Sequence, residues 1–65
     1  MTLEEAEIEL ERVKIRLVEL ANLEWDLLGW GTHAEVVDVA MKIKKARERL
    51  SKAQRRVDRL KKIET

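Results

Sequence analysis

His33 is the chain's only histidine and Ser51 its only serine; with thirteen carboxylates and no cysteine, they are the first groups to weigh for chemistry. A serine nucleophile needs a base within hydrogen-bond reach to take its proton, and Ser51 has no histidine in reach on its helix face. A metal site needs three or four His, Cys or carboxylate ligands, and nothing near His33 in the sequence completes such a set. His33 reads instead as a surface residue at the start of a helix. Glu11 and Glu24 interrupt apolar stripes, and paired carboxylates inside a bundle can hold two metal ions; such sites add a Glu-x-x-His step, which is absent here. Pairing with a basic residue at a stripe's edge is the simpler role for both. Gly29-Trp30-Gly31 shares only its glycines with a phosphate loop, since it follows a helix pattern instead of a strand and lacks the Lys-Ser/Thr ending. Trp25 and Trp30 read as packing residues, Trp30 as the lid of a turn, ahead of a cofactor box. The expectation is no enzyme, no catalytic residue, no metal ligand and no cofactor.

The elements that hold these residues are more legible. Of 65 residues 42% are charged, and Pro, Cys, Phe and Tyr are missing, a mix of strong helix formers and charge that points to coiled-coil-like packing. Below roughly 70 to 80 residues a single core seldom supplies more than ~3 to 5 kcal/mol without disulfides, a metal or partner chains. No apolar run approaches the ~18 residues of a membrane span. Met1 leads into an acidic helix start instead of a signal peptide, so a soluble chain with no membrane partner, cytoplasmic if made in cells, is expected.

Thr2 and Glu5 have the spacing of a capping box, in which the hydroxyl accepts from the third helical N–H while the carboxylate reaches back. This places the start of a first helix at Leu3. It continues to Leu28, where Gly29 is expected to adopt the left-handed conformation that ends helices, with Trp30 covering the last turn. Thr32 and Glu35 repeat the box and open a second helix, 33–63, after a turn at 29–32. The whole chain, 1–65, is one all-α unit: an antiparallel two-helix hairpin that assembles into a helical bundle.

Apolar spacing says how the helices meet. Val36, Val39, Ile43, Ala46, Leu50, Ala53, Val57 and Leu60 alternate steps of three and four, as do Leu3, Ala6, Leu10, Val13, Leu17, Leu20 and Leu27 with Glu24 as the break. These are single heptad seams. Folding back at the turn pairs Ala6 with Val57, Leu10 with Ala53, Leu17 with Ala46 and Leu20 with Ile43, large against small. Residues 1–28 carry eight acids and three bases, residues 33–65 eleven bases and five acids. An antiparallel hairpin sets Glu4, Glu5, Glu7, Glu9 and Glu11 beside Arg55, Arg56, Arg59, Lys61 and Lys62, and each block complements its own helix dipole. A basic helix could instead bind nucleic acid, but the chain's net charge is only +1 and no recognition motif or stacking aromatics accompany it. Nucleic acid is not an expected partner.

The hairpin leaves one feature unexplained. Ile8, Glu11, Ile15, Val18, Asn22 and Trp25 form a further three-and-four stripe about 150° around the first helix from its seam, and Val37 and Met41 are expected to extend the patch near the turn. An exposed apolar strip of this kind marks an interaction site. The first expectation is self-association through the first helix, a dimer ahead of a trimer or larger bundle, with Asn22 as the polar register-setting residue. The alternative is a binding module that docks a different protein on Ile8, Ile15, Val18 and Trp25.

The doubled T-x-x-E boxes, glycine stop, zoned charges and missing Pro, Phe, Tyr and Cys resemble a de novo designed helical hairpin of the kind built to assemble into bundles. That resemblance covers the whole chain as a matter of style and matches no specific motif. It implies an association or scaffold role with no natural substrate.

Overall fold

The computed structural model describes residues 1–64, with side chains through Ile63. Helix α1 spans Leu3–Trp30 and helix α2 His33–Glu64. They pack along their length as an antiparallel hairpin about 49 Å long and 14 Å across. Thr65, included in the single unit read from the sequence, lies outside the described residues.

Both capping boxes form. The Glu5 N–H donates to the Thr2 hydroxyl at 3.2 Å while the Thr2 N–H donates to the Glu5 carboxylate at 3.4 Å. At the second helix, Glu35 N–H reaches the Thr32 hydroxyl and Thr32 N–H reaches the Glu35 carboxylate, both at 3.2 Å. Each threonine satisfies a backbone donor that has no partner within its helix, an effect worth about 1 kcal/mol. Glu4 and Glu5 in the first turn of α1, and Lys61 and Lys62 in the last turn of α2, match the helix dipoles in sign.

The turn departs from expectation in three ways. Helix α1 runs two residues past Leu28, so the link is only Gly31 and Thr32. Gly29 is helical and has no positive φ; the chain has no left-handed glycine at all among the described residues. Trp30 is the last helical residue and stands exposed instead of covering the turn. The stop is at Gly31, in extended conformation at φ −83°, ψ 168°, where its N–H donates to the Leu27 carbonyl at 2.6 Å. A Cβ on Gly31 would lie 2.8 Å from that carbonyl oxygen and 2.7 Å from Leu27 Cδ2, whereas one on Gly29 would meet nothing within 4 Å. The glycine requirement is therefore close approach at Gly31, and it is not a matter of backbone handedness.

These two glycines separate cleanly by mutation. Gly29→Ala should stabilise the hairpin by up to about 1 kcal/mol, the helix-propensity difference. Gly31→Ala forces Leu27 aside and should destabilise by about 1 to 3 kcal/mol, the usual range for overpacking. Thermal unfolding of the two variants checks the assignment, and the opposite order would return the stop to Gly29.

The seams meet as their spacing requires. Ala6, Leu10, Ala53 and Val57 form a buried cluster near the chain ends, with Leu3, Leu50 and Leu60 packed against it. Leu20, Leu27, Val39, Ile43 and Ala46 form a second near the turn, flanked by Leu17 and Val36. Val57, 1% exposed, is the most deeply held side chain of any size. Fully burying a leucine or valine side chain contributes about 1.5 to 3 kcal/mol, and alanines on α2 let the backbones come close enough to do so. Charge zoning is realised at Arg56, which donates to the Glu9 carboxylate at 2.8 Å across the helices. Both partners are nearly half exposed, so the pair contributes less to stability than to the antiparallel orientation.

Candidate interaction surface

A hairpin has no interior beyond one seam, so any function must use its outside. Ile8 lies two residues from both Ala6 and Leu10, which are buried. Ile15 stands likewise between Val13 and Leu17, and Asn22 between Leu20 and Glu24. Two steps of about 100° in either direction put each of them on the side of α1 turned away from α2. Glu11, Val18 and Trp25 fall on the same side, so six of the eight residues named from the sequence form one stripe. All six are exposed. Exposure is 49% at Ile8, 52% at Ile15, 60% at Val18 and 78% at Trp25, so about half or more of each of these large apolar residues is in water.

The two α2 residues sit elsewhere. Met41 lies midway between the buried Val39 and Ile43 and so occupies the outer face of α2. That face points away from the stripe, and Met41 cannot share one flat surface with Trp25. Val37, 43% exposed, is on the flank of α2 and only borders the seam. Leu28, in contrast, belongs with the stripe: it follows Trp25 by three residues and is 63% exposed. Val18, Ala21, Trp25 and Leu28 keep the same three-and-four spacing, so the sequence already groups Leu28 with the apolar second half of α1. The stripe thus runs along the outside of α1 and bends onto its flank near the turn.

The residues with chemical potential stay apart. His33 is exposed at the first turn of α2, and among the described residues no three His, Cys, Asp or Glu side chains gather as a metal-holding group. Glu24 is half-buried and lines an open groove with Lys44, Arg47, Glu48 and Ser51 of α2, the setting of a seam-edge carboxylate beside bases. Glu11 is exposed on the outer stripe. Lys52, Arg55, Arg56 and Arg59 line a second groove on α2 with no aromatic among them, and Arg56 is held by Glu9. No helix among the described residues is long and apolar enough to cross a membrane.

No family model, curated protein or solved structure matches the chain. The physical character of its surfaces is what bears on function. The outer stripe of α1 differs from the rest in exposing several large apolar side chains, Ile8, Ile15, Val18 and Trp25, along one side of a helix, with Glu11 and Asn22 between them.

Proposed function

We propose that the protein is a self-associating helical scaffold: a homodimeric four-helix bundle in which α1 is the inner helix, covered by its own α2 on one side and by the partner's α1 on the other. The observation that carries this reading is the exposure of Ile8, Ile15, Val18, Trp25 and Leu28 along one side of α1. Covering them adds on the order of 1 kcal/mol or more per side chain, comparable in total to what the small hairpin core supplies alone. Isologous pairing of identical chains is the commonest way to obtain such cover. The β-branched residues of the stripe suit larger assemblies as well as dimers; the bulk of Trp25 favours two inner helices over three. The paired capping boxes, zoned charge and regular seams support the further reading that this is a designed bundle component, acting through association and without a substrate.

A charge in the stripe tests the proposal. Ile15→Lys replaces a half-exposed side chain, so the hairpin should tolerate it, but in the dimer it buries an unpaired ammonium. The variant should run as a monomer at concentrations where the parent is a dimer, with its helical circular dichroism retained. An unchanged mass for Ile15→Lys would remove the stripe as the interface.

A further inference from the structure

We infer that the two inner helices pair antiparallel, in the register that sets Ile8 opposite the partner's Trp25, Glu11 opposite the partner's Asn22, and Ile15 opposite the partner's Val18. This rests on the self-association proposed above and specifies its geometry. The stripe reads Ile8, Glu11, Ile15, Val18, Asn22, Trp25 along α1, all six exposed in the hairpin. In polarity that order is a palindrome. Reversing it about the midpoint between Ile15 and Val18 lays apolar on apolar and polar on polar, which is what a two-fold axis across the stripe requires.

The polar layer decides between orientations. With chains parallel and in register, Glu11 would face a second Glu11 and Asn22 a second Asn22, placing two carboxylates in one desolvated layer. Antiparallel pairing gives each Glu11 carboxylate an Asn22 amide, whose N–H groups donate to it, and hydrogen bonds to a charged acceptor are the stronger kind. Size follows the same rule, because the largest side chain of the stripe, Trp25, meets the smaller Ile8 instead of its own copy.

Long-range charge agrees. Glu4, Glu5, Glu7, Glu9 and Glu11 crowd the first third of α1. A parallel pair would bring two such blocks together, whereas an antiparallel pair places them toward opposite ends of a helix about 42 Å long, well beyond the ~8 to 10 Å over which charges act in ordinary salt. The rim is less decisive: antiparallel pairing sets Arg12 by the partner's Glu19 but Glu5 by the partner's Asp26, and parallel pairing would match Glu7 with Arg12 and Lys14 with Glu19. Exposed pairs of that kind contribute only ~0.2 to 1 kcal/mol, too little to outweigh a carboxylate pair in the seam.

Cysteine cross-linking reads the orientation directly, since the chain has no cysteine of its own. Glu11→Cys and Asn22→Cys are each made in the full chain, mixed in equal amounts and oxidised in a glutathione buffer. Both positions are exposed in the hairpin, so both variants should fold. The mixed disulfide should exceed the two homodisulfides together by several-fold. Arg12→Cys with Glu19→Cys, at the rim, repeats the test without removing the polar layer and should give the same preference. Homodisulfides in excess, or a statistical mixture from both pairs, would overturn the antiparallel register while a dimeric mass for the parent keeps the self-association. A monomeric parent with no cross-links from either pair would overturn the self-association itself.

Discussion

Leu20→Ala is expected to unfold most of the hairpin under conditions where the parent is helical. Leu20 is 4% exposed and packs in the turn-side cluster with Leu27, Val39, Ile43 and Ala46. Truncating a buried leucine costs about 2 to 5 kcal/mol, the larger values where neighbours cannot collapse into the space. Here the neighbours across the seam include Ala46, whose single methyl cannot reach into the space. The loss is comparable to the whole ~3 to 5 kcal/mol that a core of this size supplies. Circular dichroism against temperature at fixed concentration provides the check, with Leu23→Ala as the control. Leu23 is 42% exposed and off the seam, so its truncation should shift the melt far less. Equal shifts for the two would show that the seam does not carry the fold.

Trp25→Ala should weaken association by about 2 kcal/mol or more, some thirty-fold in dissociation constant, as expected for truncating a large aromatic anchor in a contact. In a two-fold dimer both copies of the residue are lost at once, so the effect on the assembly exceeds that on either site. The hairpin itself should keep its helical content at high concentration, because Trp25 is 78% exposed and belongs to neither core cluster. Trp30 supplies the comparison. It is 73% exposed but ends α1 beside the link, away from the apolar stripe, and Trp30→Ala should leave the dissociation constant nearly unchanged. Sedimentation of both variants over a dilution series separates them, and a larger effect from Trp30 would move the interface to the turn.

The parts of this fold that could be read from residue order are those set by periodicity and local hydrogen bonding. Steps of three and four named both seams, and Ala6 with Val57 or Leu20 with Ile43 meet in the same clusters because two straight helices of equal pitch leave little choice of partner once the turn is placed. The boxes at Thr2 and Thr32 set both helix starts, since each involves atoms only three residues apart. The stop was harder. Gly29 and Gly31 are equivalent as sequence signals, and the choice between them depends on how closely the exiting backbone passes the Leu27 carbonyl, a contact that exists only after the chain has turned. Met41 is a different case: its two-residue distance from Val39 and Ile43 already placed it opposite the seam, and proximity to the turn in sequence concealed that. The outer stripe of α1 was visible because exposure follows the same helical period. Its occupant was not, because an apolar face has the same pattern whether it awaits a copy of itself or another protein.

The central claim is that the outer face of α1 is covered by a second copy of the chain. Multi-angle light scattering of the pure protein, followed from high concentration to below the dissociation range, tests it most directly. The account predicts about twice the 7.7 kDa chain mass at high concentration, falling toward the single-chain value on dilution. A mass of one chain at every concentration would contradict it and leave the stripe to a partner of different sequence.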